Sequence, residues 1–314
     1  MARSLVPALA GAALLILAPS VALSQRPVED AAAFAAYIST GSQVTPNITY
    51  LTASGVDLKL DVYRPRGASG PLPTVLLFHG GGYRAASTKE AFALNAIPWV
   101  QMGWNAVNVE YRSSGVALAP AAVADARCAL RWVMDNAKQY NVDPDRIVLS
   151  GQSAGGHLAY LAGMLPESAG LDRRCPSREP LKVAAIVSWF GVFDYTTLVD
   201  DPARDYAISW IGPQTNRMDV AKLVSPIAYI RAGLPPTIVV HGDADPTVPY
   251  EQAVRGTDAL RKAGVPVELV TVPGGRHGNF LREHVLRAWT AIEAFLTKNG
   301  VIKAAAPRTA SAQP

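Results

Sequence analysis

The chain has 314 residues, of which 49% are hydrophobic and 17% charged, and its formal net charge is +4. A chain of this length can bury one large core, and the composition is that of a globular protein, not a disordered one. The 29 lysines and arginines are scattered singly or in pairs, so the sequence has no basic block of the kind that binds nucleic acid. We therefore expect no nucleic-acid partner.

The first 24 residues have the pattern of a secretory signal peptide. Arg3 provides a positive start, an apolar run follows, and Ala22 and Ser24 put small residues at the two positions that signal peptidase reads. The alternative is a membrane anchor, but the run is short for a spanning helix and Pro19 interrupts it near its end. We predict no stable membrane anchor and an extracytoplasmic (periplasmic or secreted) mature chain that begins at Gln25.

Strand and helix patterns alternate along most of the mature chain, after a short helical stretch at residues 28–37. Residues 47–51 and 56–63 flank a Ser-Gly turn and predict a β-hairpin. Further strands are predicted at 74–78, 105–109, 147–150, 182–189, 237–241 and 267–272, and helices at 89–102, 119–140, 158–165, 251–263 and 280–298. This order predicts an α/β fold with a mostly parallel central sheet, helices on both faces and an antiparallel hairpin at its start.

Two segments depart from this alternation. Residues 192–230 are too long for a simple loop and predict short helices that form a small cap over the site. Residues 304–314 are rich in Ala, Pro and Ser and predict a disordered tail. We therefore expect one catalytic domain over residues 25–303, with the cap as an insertion at about 192–230.

Cys128 and Cys175 are the only two cysteines. In an oxidising compartment they could form a disulfide, and otherwise one would be a buried thiol and the other a loop thiol. The sequence leaves both readings open. Neither cysteine lies beside a candidate base, which argues against a cysteine nucleophile.

A Gly-x-Ser-x-Gly turn centred on Ser153 is the strongest candidate for chemistry. An apolar strand runs into Gly151, Ser153 follows at the apex, and a helix-forming run begins after Gly155. This is the spacing of a nucleophile elbow, in which the flanking glycines let the strand and helix approach closely. A glycine-rich turn with an incidental serine would have the same pattern, so the prediction depends on the other catalytic parts.

A serine nucleophile needs a base and an acid that orients the base, and both are available after later strands. His277 follows the last predicted strand and is the candidate base, whereas His284 falls within the final helix. Asp243 and Asp245 follow the strand before it. We favour Asp245 because it stands farther along the loop, nearer a position from which it could reach His277, whereas Asp243 could merely shape the turn. The order Ser153, Asp245, His277 is the nucleophile–acid–base order of the α/β-hydrolase fold.

The sequence His79-Gly-Gly-Gly follows an early strand and predicts an oxyanion hole. The backbone amides of Gly81 and Gly82 would act with that of Ala154, which follows the candidate nucleophile. A merely flexible glycine loop is the alternative. The Asp and Glu residues form no ligand cluster and no phosphate-binding glycine motif is present, so we expect no metal and no cofactor.

Three aromatic residues lie near these motifs and are candidates for a substrate pocket. Tyr83 follows the glycine loop, and Trp189 and Phe190 end a predicted strand. Ordinary packing in the core or at the sheet edge would account for them equally well.

Together these motifs resemble those of α/β-hydrolase serine esterases with a His-Gly-Gly-Gly oxyanion loop. This branch includes hormone-sensitive-lipase-like carboxylesterases and bacterial carbohydrate esterases that act on acetyl or feruloyl groups. The resemblance covers about residues 58–296 and two features depart from the lipase-like members: Gln152 stands where an acidic residue is common, and the acid loop ends in Val248-Pro249. The motifs that carry it are Leu58–Pro65, His79–Tyr83, Glu110–Arg112, Asp143–Ile147, Gly151–His157 and His241–Asp245.

The resemblance implies a serine hydrolase of the carboxylesterase type that acts through an acyl-enzyme on short acyl or carbohydrate-linked esters. An arylformamidase, or an amidase or peptidase of the same fold, is the nearest alternative. A non-catalytic binding module on a hydrolase scaffold is an alternative of another class, which would not need the complete set of catalytic parts.

Overall fold

The computed structural model describes Ala35, residues 40–175 and residues 180–303. The predicted signal peptide, the tail at 304–314 and all of the helical stretch at 28–37 except Ala35 lie outside these residues. No helix in the described ranges is both long enough and apolar enough to cross a membrane.

Eight strands form the central sheet. In chain order they are β1 (Ser42–Ala53), β2 (Val56–Pro65), β3 (Leu72–Phe78), β4 (Asn105–Val109), β5 (Val142–Gln152), β6 (Ala185–Trp189), β7 (Thr237–Gly242) and β8 (Val267–Val272). They lie side by side in the order β1-β2-β4-β3-β5-β6-β7-β8. Strand β2 is antiparallel to both of its neighbours, and every pair from β4 to β8 is parallel. The predicted fold, including the opening hairpin, is confirmed.

Nine α-helices that connect or flank these strands lie entirely within the described ranges. They are α1 (Lys89–Phe92), α2 (Ile97–Gln101), α3 (Ala121–Asp135), α4 (Ala137–Tyr140), α5 (Ala154–Met164), α6 (Asp205–Ile211), α7 (Arg217–Leu223), α8 (Glu251–Lys262) and α9 (Arg282–Lys298). Between β6 and β7, α6 and α7 are accompanied by 3₁₀ turns at Tyr195–Thr197, Pro202–Arg204 and Pro226–Tyr229. The segment predicted to form short helices does so.

Two predicted helices are interrupted. The helix predicted at 89–102 consists of α1, a 3₁₀ turn at Ala93–Ala96 and α2, which has a proline in its first turn. The helix predicted at 119–140 ends at Asp135, and the single turn α4 follows it. Asn141 then adopts left-handed backbone angles, with φ of 52°, which ends the helical path and turns the chain into β5.

Both faces of the sheet are buried, as the continuous apolar strands predict. Successive residues of β5 point to opposite sides: Leu149 packs with the helices α3 and α5, and Val148 packs with α2 and α9. The two apolar layers fix the sheet between helices, so the loops at its ends are held by a packed core on both sides.

The carboxyl ends of the parallel strands lie along one edge of the sheet. The glycine loop follows β3, Ser153 follows β5, the Asp243–Asp245 turn follows β7 and His277 follows β8. Strand pairing aligns Phe78 with Gly151, which places the end of β3 beside the elbow. This edge is where open parallel sheets carry their ligand sites.

The two cysteines form a disulfide. Cys128 in α3 and Cys175, beyond α5, have Cα atoms 5.1 Å apart and joined sulfurs. The same segment is held by Asp172, whose Oδ2 accepts hydrogen bonds from the guanidinium groups of Arg127 and Arg131 at 3.0 Å. The sequence left open whether the two cysteines form a disulfide or remain free thiols, and the structure has the disulfide.

Candidate active site

The candidate nucleophile lies at a strained turn between β5 and α5. Ser153 has φ of 54° and ψ of −117°, angles that residues with side chains rarely adopt. A Cβ atom on Gly155 would lie 1.9 Å from the carbonyl oxygen of Phe78, and one on Gly151 would lie 2.4 Å from that of Gly155. Only glycine fits at either position, and this close packing holds the serine at the apex of the turn.

The structure brings the three predicted triad side chains together. The Nε2 atom of His277 lies 2.9 Å from the Oγ atom of Ser153, and its Nδ1 atom lies 2.7 Å from the Oδ2 atom of Asp245. Because the carboxylate can only accept, Nδ1 carries a hydrogen and Nε2 is the nitrogen that faces the serine hydroxyl. An imidazole in this tautomer is able to accept the serine proton.

Asp245 is held as a buried carboxylate. Its side chain is fully buried, and its Oδ1 atom accepts hydrogen bonds from the amides of Thr247 at 2.8 Å and Val248 at 3.0 Å. Burial alone would raise the pKa of Asp245, but hydrogen bonds from His241 and His277, together with the positive charge of a protonated His277, hold that pKa well below its usual range. The carboxylate therefore stays ionised even in mildly acidic solution.

The two competing candidates lie elsewhere. The Oδ1 atom of Asp243 accepts a hydrogen bond from the amide of Gly274 at 2.6 Å, so this aspartate shapes the turn, as its position suggested. His284 lies in α9 with its Nε2 atom 3.9 Å from Glu283, its neighbour in sequence. Neither side chain makes a hydrogen bond to Ser153 or His277 in the described structure.

The glycine loop lies beside the elbow, where a Cβ atom on Gly80 would lie 3.0 Å from the carbonyl oxygen of Gln152. Gly81 and Gly82 have φ of 114° and 61°, and a Cβ atom on Gly81 would lie 1.6 Å from the Oγ atom of Ser87. None of the amides of Gly81, Gly82 and Ala154 has a hydrogen-bond acceptor among the described residues. The amide of Ala154 also opens α5, where the helix dipole favours negative charge. The arrangement offers unpaired donors beside the candidate nucleophile.

A cleft of about 490 Å³ opens over these groups. Of the three predicted pocket aromatics, Phe190 lines it. Tyr83 does not, because its side chain is buried beneath the glycine loop, and Trp189 faces a separate cavity beside α2 and α9. Apart from Phe190, the lining is largely polar or glycine: Gly80, Gly81, Gly82, Arg84, Gln152, Ser153, Asp205, Tyr206, Thr247, His277, Gly278 and Asn279.

Two features of the site were not predicted. His241, next to the last residue of β7, is fully buried, and its Nε2 atom lies 3.3 Å from the Oδ2 atom of Asp245, so the acid has a second histidine partner. In the sequence, the indication of this contact was that His241 lies four residues before Asp245. Arg204, in the segment between β6 and β7, donates a hydrogen bond to the carbonyl oxygen of Thr247 at 2.9 Å and so ties that segment to the acid loop.

The described residues contain no cluster of three or more His, Cys, Asp or Glu side chains arranged to hold a metal ion. The groups at the cleft are instead a serine, an imidazole, a carboxylate and backbone amides. This set is suited to nucleophilic acyl transfer.

Comparison with known proteins identifies a family that this chain matches. The BD-FAE family matches residues 60–260, well over half of the chain. The esterase LipQ of Mycobacterium tuberculosis is 31% identical over 225 residues, which is 69% of this chain and 53% of that protein. The chain spans only a little over half the length of this relative and of the probable carboxylic ester hydrolase LipM of the same organism, where the share is 58%.

Two solved structures are similar over nearly their whole length. A truncated carbohydrate esterase from gut microbiota has a TM-score of 0.73 at 27% identity, covering 83% of this chain and 98% of that one. The propionate-bound esterase Est2 of Thermogutta terrifontis has a TM-score of 0.70 at 30% identity, covering 85% and 97%. A structure of the Thermogutta enzyme phosphorylated by paraoxon is also similar.

The family match and the structural similarity agree with the sheet order and the elbow described above. The chain belongs to the BD-FAE family and has the α/β-hydrolase fold.

Proposed function

We propose that the protein is a carboxylic ester hydrolase that uses Ser153 as its nucleophile. The observation that carries the proposal is the hydrogen-bonded chain from Ser153 Oγ through His277 to Asp245, with distances of 2.9 and 2.7 Å. The family match and the similarity to proteins named esterases support the same reaction class.

In the proposed mechanism, His277 Nε2 takes the Ser153 proton as Oγ forms a bond to the ester carbonyl carbon. The carbonyl electron pair moves onto oxygen, and the amides of Gly81, Gly82 and Ala154 stabilise the resulting oxyanion. When the oxyanion collapses, the bond to the alcohol oxygen breaks and His277 returns the proton to that oxygen. Water then attacks the acyl-enzyme by the same route, which releases the acid and restores Ser153.

Asp245 has two tasks in this mechanism. Its hydrogen bond to Nδ1 keeps His277 in the tautomer whose Nε2 atom can accept a proton, and its negative charge stabilises the imidazolium that forms. The low pKa of Asp245 is consistent with these tasks, because a carboxylate that stays ionised opposes the positive charge throughout the reaction.

We further propose that the substrates are small-molecule or carbohydrate esters with short acyl groups. Phe190 and Tyr206 are the phenyl and phenol side chains that line the cleft, and its mouth carries an ion pair between Arg84 and Asp205, whose nearest atoms are 2.6 Å apart. A polar rim suits an alcohol with several hydroxyl groups. The similarity to a carbohydrate esterase and to a propionate-bound esterase supports this choice.

The mature protein is proposed to act outside the cytoplasm. The signal-peptide pattern in the first 24 residues supports this location, and so does the bond between Cys128 and Cys175, because disulfides persist in oxidising compartments.

Replacing the nucleophile tests the reaction. Ser153→Ala should lower kcat on p-nitrophenyl acetate by at least about 10⁴-fold, because the covalent route is lost. Ser168→Ala, a change at an exposed serine in a short 3₁₀ turn away from the cleft, is the matched control and should retain full activity. Near-normal turnover by a folded Ser153→Ala protein would refute the proposed nucleophile, and an inactive wild-type protein would favour the binding-module alternative.

The short-acyl preference is tested with p-nitrophenyl acetate, butyrate and octanoate, a feruloyl ester and an aryl formamide. We expect kcat/KM for octanoate not to exceed that for acetate or butyrate, because a longer chain gains about 0.8 kcal/mol per methylene only where apolar surface buries it. A preference for octanoate would contradict the short-acyl proposal. Faster cleavage of the formamide than of every ester would favour the arylformamidase alternative.

The location is tested by expressing the full chain in a secreting bacterial host and determining the mature N-terminus by mass spectrometry. The expected mature chain begins at Gln25 and is recovered outside the cytoplasm. Ala22→Asp, which puts a charge where signal peptidase reads a small residue, should block processing. A wild-type protein that keeps Met1 and stays in the cytoplasm would contradict the proposed location.

A further inference from the structure

Tyr83 directly follows the glycine loop but points away from the cleft. It has φ of 64°, in the left-handed region that side-chain-bearing residues avoid, and this backbone turn directs its ring inward. The side chain is about 1% exposed and stacks on Trp210, with ring centroids 3.8 Å apart and planes 8° from parallel. The tyrosine is therefore rigidly held, and it is covalently continuous with the amide donors of Gly81 and Gly82.

The hydroxyl of Tyr83 contacts the first turn of α5. It lies 3.1 Å from the carbonyl oxygen of Ala154 and 2.5 Å from the Nδ1 atom of His157. Ala154 is the third proposed oxyanion donor, and His157 lies one turn further along the same helix. One hydroxyl thus touches the element that carries the remaining donor.

The protonation of His157 follows from its other contact. Its Nε2 atom lies 2.6 Å from the carbonyl oxygen of Val224, which can only accept, so Nε2 carries the hydrogen. The ring is fully buried, and burial lowers the pKa of His157 to about 3, so the ring is neutral at ordinary pH. Nδ1 is then an acceptor, and Tyr83 donates its hydroxyl hydrogen to it.

We propose that Tyr83 is a positioning residue that joins the two halves of the oxyanion hole. One half consists of the Gly81 and Gly82 amides on the loop after β3, and the other is the Ala154 amide at the start of α5. The buried bond from Tyr83 to His157, with its contact to the Ala154 carbonyl, sets the distance and angle between them. Preorganised donors stabilise an oxyanion because they need not move as charge develops.

This inference rests on the proposed function, since it concerns the oxyanion of that reaction. The ring of Tyr83 and its hydroxyl have different roles, which one substitution can separate. The stacked ring of Tyr83 contributes to the core, and its hydroxyl contributes to the alignment of the donors. A change that removes only the hydroxyl should therefore affect turnover far more than folding.

Tyr83→Phe keeps the ring and removes the hydroxyl. We expect kcat on p-nitrophenyl acetate to fall by about 10- to 100-fold with KM within about twofold, because complete loss of one oxyanion donor costs about 10²–10³-fold and misalignment costs less. Binding of butylboronic acid, which forms a tetrahedral adduct on a serine, should weaken by a similar factor. The melting temperature should change by only a few degrees.

Tyr160→Phe is the matched control. Tyr160 is a fully buried tyrosine in the same helix α5, its ring packs on Phe193 with centroids 4.0 Å apart, and its hydroxyl makes no hydrogen bond to the glycine loop. This variant should keep its kcat and boronate affinity. The double variant Tyr83→Phe/His157→Gln should be no slower than His157→Gln alone, because both changes break one contact.

The inference is overturned if Tyr83→Phe has normal kcat and normal boronate affinity, whatever its melting temperature. Equal losses in Tyr83→Phe and Tyr160→Phe would also overturn it, because they would reflect general core damage. If Ser153→Ala retains activity, the proposed function itself has failed. Loss of activity in Ser153→Ala with an unaffected Tyr83→Phe refutes the positioning role alone.

Discussion

The contact between the elbow and the end of β3 is the constraint on which the site depends. Gly155 lies so close to the Phe78 carbonyl that a methyl group there would overlap it, and Phe78 pairs with Gly151 across the sheet. This packing, together with the pairing of β3 with β5, fixes the start of the glycine loop beside Ser153. It therefore holds the candidate nucleophile and the amide donors in one place before any substrate binds, which electrostatic stabilisation of an oxyanion requires.

The parallel sheet positions the remaining residues of the site around that contact. Strands β7 and β8 end at the same edge as β5, and their loops bring Asp245 and His277 to within hydrogen-bond distance of each other. Asp245 is further held by two amides of its own loop and by His241, and the inserted segment reaches the same loop through Arg204. The acid is the most enclosed of the three groups, whereas the serine and the imidazole face the cleft.

Sequence reasoning identified the parts of the site that depend on chain order and strand ends. The elbow, the glycine loop and the loops of Asp245 and His277 each follow an apolar strand, so their meeting at one edge followed from a parallel sheet. The direction in which a side chain points was harder to predict from the sequence. Tyr83 was predicted at the pocket, but its positive φ turns it into the core, and no sequence pattern specifies that angle for a tyrosine. The roles of His157 and His241 depend on partners distant in the sequence or on buried geometry. Whether Cys128 and Cys175 are bonded depends on how closely α3 approaches the segment after α5.

Labelling with paraoxon tests the central claim, that Ser153 is an activated nucleophile, most directly. The wild-type protein is incubated with the reagent, digested and analysed by mass spectrometry, with Ser153→Ala treated in parallel. The account predicts a single diethylphosphoryl group on the peptide that contains Ser153, loss of esterase activity in proportion to labelling, and no label on the variant. Full inactivation with the label on another residue, or equal labelling of the variant, would contradict it.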